Sequence, residues 1–298
     1  MEDLSDERCE IWGWSSLVKY VSGNSGKEIL FNNYEIGIGS GNPYFTKWKY
    51  TGTQKQFGID ITQFEKDPVT LPIVFRFRGS KRSIKENEKL FFEECEKDIL
   101  QMKAGTFCVN DWKLKGYFIE RETSPSEEFY GDDMSTTFLA PYPFWIEEQD
   151  ITISPIIKSI TSDEEGLKTY PYTYPYTYPT SRTQVAVNID HYMESDFQMK
   201  VYGATDSVHV NIAGHPYIVE YPLDEGEYMV IDSRPYVAKD KRLYVVKNDG
   251  KAVNVFHYRD TEHSVFQKIP AGSIIIDYSR TYGIDLTIFK ERSEPLWS

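Results

Sequence analysis

Cysteine is scarce: the 298-residue chain has three, Cys9, Cys95 and Cys108. An odd number at wide spacing, with no CxxC pair, suits neither a disulfide framework nor a zinc site. Free thiols made in a reducing cytoplasm are expected. Long apolar runs are absent too. The longest aliphatic stretch, Ile274-Ile275-Ile276, is far too short to span a bilayer, so no membrane partner is expected. The opening Met1-Glu2-Asp3-Leu4 is acidic and has no apolar h-region of a secretory leader. The five histidines, His191, His209, His215, His257 and His263, show no HExxH spacing. His257 and His263, with Asp260 and Glu262 between them, read as polar loop residues rather than metal ligands. There is no GxSxG elbow. Gly37, Gly39 and Gly41 are followed by Pro43 and by no phosphate-cradling lysine with Ser or Thr, so they read as a glycine-rich turn. The 46 acidic residues sit in no recognisable paired-carboxylate motif. No enzyme activity, cofactor or metal is expected.

What the chain has in excess is acid and aromatics. A net charge of −13 opposes a grip on a phosphate backbone, although it suits a surface past which DNA slides. With 22 Tyr, 17 Phe and 6 Trp, aromatics reach 15% of residues, a composition that fits pleated, half-buried sheets. The length suggests two domains, each able to bury its own core.

In the first half, strand-like runs occur at Ile29–Phe31 and Tyr34–Ile38. Leu71, Ile73, Phe75 and Phe77 then alternate with Pro72, Val74, Arg76 and Arg78, which predicts a strand with one buried face. A helix follows. Ser83 and Glu86 have the spacing of a capping box, Phe91, Cys95, Ile99 and Met102 recur on one face, and Gly105 is placed to stop it. Strands are expected again at Thr106–Val109, Lys113–Glu120 and Thr136–Leu139, the first two joined by a tight turn at Asn110-Asp111.

The acidic stretch Thr161–Gly166 leads into a repeat, Tyr170-Pro171-Tyr172-Thr173 onward to Pro179. Proline every fourth residue forbids helix and cannot serve a central ladder, so an extended connector is expected. Beyond it come short strands at Gln184–Asn188, Asp196–Tyr202, Val208–Ile212, Tyr217–Tyr221, Glu227–Asp232, Lys241–Val246, Ala252–Phe256, Ser273–Tyr278 and Ile284–Lys290. Turns at such intervals indicate a β-sandwich. The expected organisation is therefore mainly β: residues 1–150 a β-sandwich with one α-helix, 151–182 a Tyr/Pro-rich connector, and 183–298 a second sandwich. A sugar-binding role meets one obstacle in composition, since Trp12, Trp14, Trp48, Trp112 and Trp145 all lie in the first half and Trp297 stands alone near the end.

Several segments resemble the distal tail proteins of long-tailed (siphophage) bacteriophages. Gly226-Glu227-Tyr228-Met229-Val230-Ile231-Asp232-Ser233 is similar to a strand of that family, followed by Lys247–Asn254, Ser264–Gly272 and the closing Glu291–Trp297. In the first half, Phe75–Gly79, the single helix, and Val109-Asn110-Asp111 through Gly116-Tyr117 resemble its ring-forming domain. The resemblance implies a galectin-like second sandwich and a virion protein of the tail tip or baseplate, made in the host cytoplasm. It also implies a homohexameric ring that meets the tail tube protein, the tape measure, the tail-associated hub protein and the receptor-binding protein, with DNA only passing through. A carbohydrate-binding tail module contacting the host surface is the alternative reading, and a cell-wall hydrolase a third.

Trp297 follows Pro295 near the end and is expected to be buried as a staple or interface anchor, with Arg292 and Glu294 making charged contacts at its rim. The concentration of proline, glycine and acid after residue 150 yields the first prediction. Limited proteolysis of the full chain is expected to cut first within Thr161–Gly166 and leave two resistant fragments. Cuts scattered evenly through both halves would contradict the boundary.

Overall fold

The computed structural model describes residues 17–31, 33–42, 44–125, 130–156 and 184–296. The Tyr-Pro repeat, Thr161–Gly166 and Trp297 lie outside them. Two compact units emerge, one from the described residues of Met1–Glu147 and Glu291–Ser298, the other from Glu148–Lys290. The protein is mainly β, with one α-helix among the described residues.

The first unit runs β1 (Val18–Val21), β2 (Glu28–Leu30), β3 (Ile36–Gly41), β4 (Lys49–Gln54), β5 (Ile59–Glu65), β6 (Val69–Arg78), α1 (Lys81–Leu100), β7 (Gly105–Val109), β8 (Trp112–Pro125), β9 (Gly131–Ala140) and the start of β10 (Trp145–Ile153). One sheet has the order β10-β8-β7-β1-β2, and a second pairs β8, β9, β6 and β3, all antiparallel. Strand β8 serves both: residues 112–116 pair with β7 and residues 117–125 with β9. The alternation in β6 is realised, since Leu71, Ile73, Phe75 and Phe77 are all buried. They join an aromatic core in which Phe31 stacks on Phe75 at 4.2 Å and Phe118 meets Phe138 edge-on at 4.9 Å. Each fully buried side chain of this kind stabilises by about 1.5–3 kcal/mol. The glycines expected as a turn instead form part of β3, which bulges between Ile38 and Ser40 against β6.

The helix departs from expectation at both ends. Ser80, not Ser83, is the N-cap, its hydroxyl oxygen accepting from the Ser83 N–H at 3.1 Å. Ser83 lies inside the first turn and donates to Glu35, while Glu86 pairs with Arg82. At the other end α1 stops at Leu100, Ile99 is half-exposed and Met102 is 80% exposed with a left-handed backbone. The buried side carries Ile84, Phe91 and Cys95, together with two acids, Glu94 and Asp98.

Asp98 is wholly buried and accepts four hydrogen bonds: Tyr20 Oη at 2.6 Å, Ser22 Oγ at 2.8 Å, and the backbone N–H groups of Gly23 (3.1 Å) and Asn24 (2.8 Å). Glu94 accepts from Ser25 Oγ and pairs with Lys97, and these bonds hold its carboxyl below the usual range. Burial, reinforced by the Asp98 bond, pushes the Tyr20 phenol far up. The helix thus grips the β1–β2 turn by charge-assisted bonds. Gly105 serves the same contact. It opens β7 rather than ending the helix, and a Cβ there would collide with the Tyr20 hydroxyl on its way to Asp98.

The second unit continues with the 148–153 part of β10, then β11 (Gln184–Ile189), β12 (Asp196–Tyr202), β13 (Val208–Ile212), β14 (His215–Val219), β15 (Tyr228–Asp232), β16 (Leu243–Val246), β17 (Ala252–Asn254), β18 (Gly272–Asp277) and β19 (Ile284–Arg292), which runs two residues past this unit. One sheet has the order β17-β16-β15-β12-β19 and the other β11-β18-β13-β14, again antiparallel. Phe197, Met199 and Val201 of β12 and Ile284, Leu286 and Ile288 of β19 point into the core between the sheets. Their polar neighbours alternate on the outer face. Strands β12 and β13 occupy the spans expected from sequence, and the other strands after residue 183 differ from expectation at one or both ends.

Removing the Asp98 carboxylate would leave buried donors on Tyr20 and Ser22 without a partner. Asp98→Ala is expected to destabilise the protein by on the order of 3 kcal/mol, and Tyr20→Phe by about 1 kcal/mol. Denaturant titrations check this, and an Asp98→Ala protein as stable as wild type would remove the clamp from the account.

Candidate interaction surfaces

Strands β4 and β5 form a two-stranded ribbon of their own, every residue of which is exposed. Isolated ribbons are marginal in water, so its position and composition need an account. The pairing register supplies one. Thr51 faces Gln63 and Gly52 faces Ile61, leaving Thr62 as an extra residue in β5. Such a bulge resets the alternation. Tyr50 lies opposite Phe64, Gly52 opposite Ile61 and Gln54 opposite Ile59, so the four large apolar side chains share one face. Their exposures are 57% for Tyr50, 60% for Phe64, 45% for Ile61 and 46% for Ile59. Lys49, Thr51, Thr53, Asp60, Gln63 and Glu65 lie on the other. The Thr62 hydroxyl fills the bulge by donating to the Thr51 carbonyl at 3.0 Å. Gly52 is required by the close approach, since a Cβ would fall 2.5 Å from the Asp60 carbonyl oxygen and 2.7 Å from Ile59 Cγ2. At the tip, Phe57 is 88% exposed and Lys55 pairs with Asp60.

The ribbon is rooted at its base. Lys66, immediately after β5, places its ammonium 4.6 Å from the Phe144 ring and 5.4 Å from that of Trp48, and those two rings meet edge-on at 6.1 Å. Lys49 pairs with Asp67 at 2.5 Å. Burial pushes the Lys66 amine down to about 8, and the charge of Glu294 offsets part of that. Ring faces also favour the cation. The arm is therefore fixed where it leaves the body and bare beyond.

A second apolar surface runs along α1 and just past its end, where Phe92, Ile99, Leu100 and, beyond the C-cap, Met102 are exposed. Arg121 lies 3.6 Å over the Phe92 ring and shields part of it.

The residues singled out near the chain end fall in the first unit. Arg292 stands 5.8 Å from the Trp112 ring, and Glu294 is exposed, its charge felt by Tyr44 and Lys66. Beside them Glu291 accepts from the Tyr142 hydroxyl at 2.8 Å. Trp297 is outside the described residues, so no contact of these two with it is on view. The structure also shows what the polar residues of the Gly226–Ser233 segment do. Glu227 pairs with Lys247 and accepts from the Asp224 N–H, Asp232 holds Arg234, and Ser233 links Asp196 to the Phe197 N–H. They brace β15 rather than form a ligand site. His263 pairs with Asp260 at 2.8 Å, and among the described residues no three His, Cys, Asp or Glu side chains are grouped to hold a metal.

Comparison with solved structures identifies the architecture. A chain of the phage P2 baseplate, in its activated conformation with Ca, is similar to this one with a TM-score of 0.58 at 13% identity, over 94% of this chain and 99% of that chain. The same baseplate with Sr gives 0.58 at 12%, with the same coverage. SPP1 Dit, described as a paradigm of the hub adsorption apparatus in phages infecting Gram-positive bacteria, gives 0.57 at 7%, over 93% and 99%. No family model and no curated protein matches the sequence. The chain has the fold of these phage baseplate and tail-hub proteins.

The Lys66 root generates a pH prediction. Its pKa of about 8 in the folded state lies below the ordinary value of 10.5, so the unfolded chain binds more protons between those pH values. Stability from this group therefore rises as pH rises from about 8 to about 10.4, and the cost of charging is fully present below that window. The stability difference between Lys66→Met and wild type is expected to favour Met most at pH 7 and to shrink across the window. A difference independent of pH would show that the amine is not held in a desolvating site.

Proposed function

We propose that this chain is a non-enzymatic structural protein of a phage tail tip or baseplate, forming a ring that joins the tail tube to the host-adsorption apparatus. The observation that carries the reading is the fold itself, shared over 94% of the chain with a protein of a phage baseplate. The bare amphipathic arm supports the ring. An apolar face rooted at its base, with no described residue of its own chain covering it, suits a neighbouring copy. Contact between an arm on one copy and a different surface on the next is heterologous, and such contacts close into rings when the rotation allows. A hexamer, a galectin-like second sandwich, and contacts with the tail tube, tape measure, tail-associated hub and receptor-binding proteins complete the proposal. The charge of −13 per chain fits a lumen past which DNA slides without adhering.

Native mass spectrometry and negative-stain imaging of the purified chain test this. Rings of six times the 34.7 kDa chain are expected. Phe64→Asp and Ile61→Asp alter side chains that are exposed in the isolated chain, so they should leave its melting temperature unchanged while weakening each interface by about 2 kcal/mol. A protein that stays monomeric at every concentration, or variants that assemble as wild type does, would refute the ring and the role of the arm respectively.

A further inference from the structure

The outer face of the second unit carries a polar trough of about 290 Å³, lined by Asp150, Thr152, Gln198, Lys200, Asp285 and Thr287. It crosses three neighbouring strands, the end of β10, then β19, then β12, on the side away from the core. Its volume stands at the lower end of the about 300–1,000 Å³ usual for small-molecule sites.

The hydrogen-bond accounting shows what is held and what is left over. Asp285 is satisfied within the protein: Oδ1 accepts from the Thr152 hydroxyl at 2.8 Å and Oδ2 from the Tyr202 hydroxyl at 2.7 Å. Asp150 Oδ1 accepts from the Thr287 hydroxyl at 2.6 Å, while its Oδ2 has no donor among the described residues. Gln198 spends its Nε2 on Asp232 at 3.0 Å, which leaves Oε1 open. The Lys200 ammonium, between these groups, has no hydrogen bond or ion pair among the described residues, although Asp285 is its cross-strand neighbour. The trough therefore presents two fixed acceptors and a three-fold donor on a rigid sheet. Tyr202 and Tyr228, whose rings are 6.1 Å apart, flank it on the same face, with Tyr202 39% exposed.

This pattern discriminates between ligand classes. Two carboxylates beside one ammonium repel a phosphate or another polyanion, and the ammonium opposes a bare cation. A hydroxyl both donates and accepts, so adjacent hydroxyls of a sugar ring can serve Asp150 Oδ2 and Lys200 Nζ together, while the apolar face of the ring lies against a tyrosine. We propose that this trough binds a neutral saccharide through Asp150, Gln198 and Lys200, with Tyr202 as its apolar wall. The proposal stands independently of ring formation, since every residue belongs to one unit of one chain.

Saturation-transfer NMR on the full chain tests it, with glucose, galactose, rhamnose, N-acetylglucosamine and their neutral disaccharides as probes and glucuronate and glycerol phosphate as anionic comparators. At least one neutral sugar is expected to bind with a Kd of about 1 mM. Asp150→Ala and Lys200→Ala should each weaken it about tenfold by removing one charge-assisted bond to the ligand; Lys200→Ala should leave the melting temperature unchanged, while Asp150→Ala also loses the exposed Thr287 bond. Absence of transfer from every neutral sugar at about 20 mM, well above that Kd, would overturn the proposal. So would stronger transfer from the anions, or unchanged transfer in the Asp150→Ala/Lys200→Ala double variant.

Discussion

A single carboxylate organises the first unit. Asp98, buried on the inner side of the helix, is the shared acceptor for a phenol, a hydroxyl and two backbone N–H groups from the β1–β2 segment. A buried carboxyl group is tolerated only when its lone pairs are met, and here four donors meet them. The bonds set the depth at which α1 lies on the sandwich and the course of the turn at residues 22–25. They also demand a glycine at position 105, so three separated stretches of chain are committed by one side chain. The aromatic core supplies most of the stabilisation, but it is non-directional. Asp98 supplies direction.

The ribbon of β4 and β5 presents the opposite case, a segment whose shape is fixed and whose surface is unsatisfied. Its bulge at Thr62 gathers Tyr50, Ile59, Ile61 and Phe64 onto one face, and the Lys66–Phe144–Trp48 contact holds the base. An arm that is ordered before it meets a partner loses little entropy on docking. The proposed ring would draw on that pre-ordering.

The second unit divides its polar residues in two kinds. Glu227, Asp232, Ser233 and Asp196 are buried and engaged with their own chain, bracing β15. Among the described residues, Asp150, Gln198 and Lys200 keep open valences on the outer face. The polar residues that hold the sandwich together and those that could meet a ligand are thus different sets.

How much was legible follows the range of the physics involved. Composition and period-two alternation determined the mainly-β class, the strand at Leu71–Arg78, the presence of one helix and the run of strands after residue 183, because these depend on near neighbours in the chain. The helix cap was misplaced by one turn, since Ser80 and Ser83 offer similar local chemistry and only the direction of chain entry separates them. The burial of Asp98 and Glu94 was invisible, because an acid on a helix reads as solvent-facing until its distant donors at residues 20–25 are brought to it. The arm was missed because its bulge breaks the alternation that would have announced it. The trough was missed because Asp150, Gln198 and Asp285 are distant in sequence, and only the antiparallel order of the strands places them side by side. Local pattern decided what each element is; the pairing of distant strands decided which side chains share a face, because a shared face depends on register between segments far apart in the chain.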